Sequence, residues 1–96
     1  MLFPAGRIHV HRSVLLCDSI LVPDLVQAFD LYLQGNWGEI DSFQSLMNDV
    51  ALASGEAVTG KYKSSAGTEF WIRKEGNTTH VILPSYKETC SLRIAL

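Results

Sequence analysis

Between residues 13 and 56 the chain has no lysine and no arginine, yet the same stretch carries Asp18, Asp24, Asp30, Glu39, Asp41, Asp49 and Glu56. The flanks hold the cations: residues 1–12 sum to +2, residues 13–56 to −7 and residues 57–96 to +3. A nucleic-acid binder needs a basic patch that displaces counterions. Here the C-terminal bases are interleaved with Glu69, Glu75 and Glu88, so no direct contact with nucleic acid is expected. A cation-free layer instead favours approach to a basic protein surface.

Other scarcities narrow the field. Cysteine occurs twice, as Cys17 and Cys90. A single widely spaced pair is no disulfide framework, so both read as reduced thiols of a cytoplasmic protein. No positive charge precedes an apolar run in residues 1–6, as a secretory signal requires. The most apolar stretch, residues 14–22, is broken by Asp18 and Ser19 and falls short of the roughly 18–20 residues of a membrane span. Ninety-six residues make one domain, too short for a dinucleotide-binding fold, a methyltransferase or an α/β barrel. With 47% hydrophobic and 19% charged residues, that domain can bury a core.

Catalytic motifs are lacking too. There is no Gly-x-Ser-x-Gly elbow, no cysteine-centred signature and no glycine-rich phosphate loop, since the seven glycines are scattered among turns. No carboxylate pair stands where burial would force two pKa values apart for acid–base work. His9 and His11 lie two residues apart and so share one strand face, a spacing that chelates a metal when a third ligand arrives. His80, on another expected strand, could supply that ligand together with Cys90. The bland reading is a polar strand face, so no catalytic residue, metal or cofactor is expected.

The chain's periodicities set its organisation. Residues 7–11 alternate apolar with polar, predicting a strand with Ile8 and Val10 inward. Ser13 suits an N-cap for a short helical turn over 14–19. Pro23 suits a first helical position, followed by Val22, Leu25, Val26, Phe29, Tyr32 and Leu33 at helical spacing, with Gly35 as the stop. Asp41 caps a second helix, with Gln44 placed to complete a capping box. Phe43, Leu46, Met47, Val50 and Ser54 form its apolar stripe, which reads as core, and Gly55 ends it. From residue 57 the period becomes two: Val58, Gly60 and Tyr62, then Phe70 and Ile72, then residues 78–83 make a three-stranded antiparallel meander with turns at 64–67 and 75–77. Trp37, between Gly35 and Gly38, reads as a loop anchor. Trp71 is out of phase with Phe70 and Ile72 and therefore projects from the opposite sheet face, which makes it a partner-binding candidate. Residues 87–96 form an extension whose alternating Cys90, Leu92, Ile94 and Leu96 could add an edge strand within or between chains.

Several of these residues also form a recognisable pattern. Gly35-Asn36-Trp37-Gly38-Glu39, Asn48-Asp49-x-Ala51-Leu52, Gly55, Tyr62, Phe70-Trp71-Ile72 and Thr78-Thr79-x-Val81-Ile82-Leu83-Pro84-Ser85-Tyr86 resemble a group of small uncharacterised bacterial proteins borne on plasmids, integrative elements and phages. Members are often called plasmid-related protein or type I restriction endonuclease subunit M. The second label does not suit this chain, which has no methylase cofactor loop and too few residues for that fold. The resemblance covers about residues 6–86. The chain departs from it at Leu33-Gln34 and at Arg73-Lys74-Glu75-Gly76-Asn77, where the group's usual polar residues are replaced.

The combined expectation is an α+β domain over residues 1–96, an antiparallel sheet of three to five strands with two main helices packed on one face. What the resemblance implies is a mobile-element accessory protein. With the charge map, it gives a non-enzymatic inhibitor of a host defence complex, acting as monomer or homodimer on a CRISPR or restriction effector with a basic surface. The partner-binding candidates are Asp18, Asp24, Asp30, Glu39, Asp41, Asp49, Glu56 and Trp71. The alternatives are a small metal- or ligand-binding protein and a DNA-binding regulator.

Overall fold

The structure, a computed structural model, describes residues 6–84. It is an α+β fold in the order β1 (Arg7–Val10), α1 (Arg12–Leu15), α2 (Val22–Leu33), α3 (Ser42–Ser54), β2 (Val58–Lys63), β3 (Glu69–Glu75) and β4 (Thr78–Ile82). The expected extension over 87–96 lies outside the described residues.

The meander forms as its period predicts. Tyr62 stands opposite Phe70, and Ile72 is opposite both Gly60 and Val81, so the buried residues of three strands line one face. Gly76 opens the tight β3–β4 turn with φ +60°, the backbone that a glycine-first hairpin turn requires. Pairing of β1 was not legible in its own alternation: it lies parallel to β4 at the sheet's edge, in the order β1-β4-β3-β2. That edge position corrects one expectation, because Ile8 is exposed and only Val10 packs against the core.

The helices attach in two different ways. α2 begins where Pro23 allows it, and Asp24 closes its first turn by accepting the Leu21 N–H at 2.9 Å. It buries Ala28 and Tyr32 against the inner sheet face, where the Tyr32 and Thr79 hydroxyls are 3.2 Å apart. The first turn of helix is α1, capped at His11, so Ser13 lies inside it and is not its cap. Cys17, buried just beyond α1, is disulfide-bonded, which corrects the expectation of a reduced thiol there; Cys90 lies outside the described residues. Disulfide pairing depends on three-dimensional approach, which sequence spacing does not encode.

α3 departs from expectation as well. Asp41 caps it as expected, accepting the Gln44 N–H at 2.8 Å, and Gly55 ends it in the left-handed region. Its apolar stripe, however, is not core. Phe43, Leu46, Met47 and Val50 are 67%, 57%, 45% and 53% exposed. The buried residue of α3 is Asn48, whose amide donates to the Thr59 carbonyl at 2.8 Å and accepts the Thr59 N–H at 3.4 Å.

Those two bonds have a clear cause. β2 is the other edge of the sheet, and an edge strand with unpaired backbone groups must be paired or covered. Asn48 caps Thr59, and the loop before α3 continues along the same edge: Lys61 N–H donates to Trp37 O at 2.9 Å and Glu39 N–H to Lys61 O at 2.7 Å. Gly38 sits between them with φ +80°, and a Cβ there would collide with the Lys61 carbonyl. Trp37, expected as a loop anchor, is buried and donates its indole N–H to Asp49 Oδ1 at 2.9 Å. The Tyr62 hydroxyl donates to Asn36 O at 2.8 Å and fixes the loop from below.

A stability comparison checks this account. Asn48→Ala leaves the Thr59 N–H and carbonyl without their partner and should cost about 1–3 kcal/mol in chemical denaturation. Phe43→Ala, which removes far more apolar volume but from an exposed site, should stay within about 0.5 kcal/mol of the parent. Equal or inverted losses would contradict the attachment described.

Candidate functional site

The seven carboxylates of the cation-free stretch sort by what they hold. Asp24 accepts the Ser65 N–H at 3.0 Å as well as that of Leu21, joining the start of α2 to the β2–β3 turn. The Leu21 N–H, opposed by desolvation and helped to a lesser extent by Ser65, holds its carboxyl below the ordinary value. Asp41 is a helix cap and Asp49 receives Trp37. Glu39 lies 3.5 Å from Lys63 Nζ in an exposed ion pair. Asp30 and Glu56 are exposed, on α2 and just beyond α3, and Asp18 is exposed in the α1–α2 connection. Asp24, Asp41 and Asp49 therefore serve the fold; Asp24 and Asp30 share α2, while Asp41, Asp49 and Glu56 lie on α3 or at its ends.

Trp71 projects from the outer sheet face, as its phase predicts. It is half-buried: its indole N–H donates to Glu69 Oε2 at 2.6 Å and Lys61 Nζ lies 5.0 Å from the ring centre. Met47, Asn48 and Ala51 of α3 face Lys61 and Trp71 across a groove of about 420 Å³.

The exposed apolar surface is the feature that sequence reasoning missed. Besides the α3 stripe, α2 leaves Val22 and Val26 in solvent, along an open groove of about 730 Å³ that also includes Phe29, Asp30 and Leu33. Helical periodicity reveals that a stripe exists but not which neighbour it meets. The available signal was Asn48, a polar residue within the stripe's own turn, whose amide matches the two backbone groups of an edge strand.

The third feature is the histidine cluster. His9 is in register with His80 across the parallel β1–β4 pair, and His11 follows just past β1. All three rings meet, with centres 5.1 Å (His9–His11), 5.7 Å (His9–His80) and 5.9 Å (His11–His80) apart. His80 Nδ1 is buried and has no hydrogen-bond partner. As the side chains stand, no group of three or more His, Cys, Asp or Glu among the described residues is set to hold a metal ion. No helix among them is long and apolar enough to cross a membrane.

Desolvation, then His9 and His80, lower the His11 pKa from its ordinary 6.5. As pH falls below about 6.5 the unfolded chain takes the proton first, so this contribution to stability is present above that pH and is lost on acidification. An NMR titration should place the His11 ring midpoint below 6.5. In His9→Ala it should move upward, because a neighbouring positive charge is gone. A His11 midpoint at or above 6.5 in the parent would contradict the cluster.

No protein-family model, no curated protein and no solved structure matches the chain.

Proposed function

We propose that this chain is a non-enzymatic binding protein that docks through the exposed stripe of α3 onto a partner with a basic surface. The observation that carries the reading is the outward stripe of Phe43, Leu46, Met47 and Val50 on one 13-residue helix. Contiguous exposed apolar side chains of this size mark interaction surfaces. Aromatic and long apolar residues at such a centre supply most of the binding energy.

Charge selects the partner. No cation lies between residues 13 and 56, so Asp41, Asp49 and Glu56 border the α3 stripe without a Lys or Arg from that stretch to neutralise them. An apolar centre with an acidic rim is complementary to a protein surface that is apolar within and basic around. Trp71, beside Met47 across the smaller groove, extends the surface to the sheet. In its finer form the reading makes the chain a mobile-element accessory protein, and the partner a CRISPR or restriction effector, an assembly whose nucleic-acid channels are basic. Binding would then inhibit by covering such a surface.

Mixing the purified chain with a panel of CRISPR and restriction effectors tests this directly. The expected result is dose-dependent loss of one effector's nuclease activity. Leu46→Glu, at an exposed site, should relieve that loss with at least a tenfold drop in affinity, about 1.4 kcal/mol, while the fold is unchanged. A panel left fully active at large molar excess would overturn the reading.

A further inference from the structure

We propose that His9, His11 and His80 form a three-histidine site for a zinc ion on the outer sheet face at the β1–β4 edge. The site does not depend on the docking surface, which lies on α3 beside β2 at the opposite edge of the sheet.

The spacing of the rings suits a zinc ion. Zinc binds imidazole nitrogen at about 2.0–2.1 Å, and the ring centre lies roughly 1.1 Å behind that nitrogen, so tetrahedral ligation holds imidazole centres about 5 Å apart. The three centres here are 5.1, 5.7 and 5.9 Å apart. Two residues at i and i+2 along one chain and a third in register on the neighbouring strand is an arrangement that the backbone itself enforces.

One ring nitrogen also lacks a bond. His80 Nδ1 is buried without a hydrogen-bond partner, an unusual state for a buried polar atom and one that a metal would resolve. Among the described residues no carboxylate forms an ion pair with the rings. The nearest cation by register, Arg73 opposite His80, is directed elsewhere: its guanidinium donates to Thr59 Oγ1 at 2.8 Å and to Glu75 Oε2 at 3.0 Å.

What ligation requires is reorientation of rings, since the side chains as they stand are not set to hold an ion. The rings now meet edge to face, at interplanar angles of 68–81°. His9 and His11 are exposed and can turn about their side-chain bonds without disturbing the core, whereas His80 is half-buried and its backbone is held opposite His9 by the strand register. Imidazole donors suit zinc, and three protein ligands leave a fourth position open to water.

The chain has three histidines and all belong to this cluster, so their ring signals report on nothing else. Zinc chloride titrated into the full chain at pH 7.5 should shift the ring resonances of all three together and saturate at one equivalent. His9→Ala and His80→Ala should each weaken binding at least about 100-fold, beyond the usual loss from a ligand's outer partner. Two outcomes overturn the proposal: ring resonances that do not move at millimolar zinc, or a response confined to His9 and His11 with His80 unshifted. Because the parent chain alone delivers that reading, a variant that fails to fold leaves the test intact.

Discussion

The outer edge of β2 is the constraint on which the arrangement rests. A four-stranded sheet in the order β1-β4-β3-β2 has one edge at β1 and another at β2, and the outward N–H and carbonyl groups of β2 must find partners. Here they find Asn48, Trp37 O and the Glu39 N–H. Once Asn48 is committed to Thr59, the rotation of α3 about its axis is fixed. Residues at positions 43, 46, 47 and 50 then project away from the core. The polar attachment of α3 and its exposed apolar stripe are therefore one fact seen from two sides.

Much of the fold was legible because its signals are local. Alternation of Val58, Gly60 and Tyr62 and of Phe70 and Ile72 identified the inner sheet face, and Pro23, Asp41, Gly55 and Gly76 punctuated the elements where the structure has them. Long-range facts were not legible. The parallel docking of β1 on β4 exposes Ile8, which its alternation alone assigns inward. The α3 stripe read as core because amphipathicity normally reports a buried face, and a single Asn–backbone attachment reverses that inference. The disulfide at Cys17 has no local sequence signal at all.

For the candidate site, the charge pattern pointed to the carboxylates as a docking surface, but Asp24, Asp41 and Asp49 are engaged in a turn, a cap and an indole contact, and Glu39 in an ion pair. Short polar side chains near helix starts commonly serve the backbone first. Their charge persists while their geometry is structural, so they colour the surface without forming it. Trp71 was placed on the correct face by phase alone, and His9, His11 and His80 could be brought together only once the β1–β4 register was known.

The central claim is that α3 shows its apolar face to water in the free chain. Methyl NMR with a soluble paramagnetic agent measures that most directly. The account predicts strong attenuation of the Leu46, Met47 and Val50 methyl signals, comparable to that of exposed Leu15, with Val58 and Ile72 protected. Protection of the α3 methyls to the level of Val58 would contradict it.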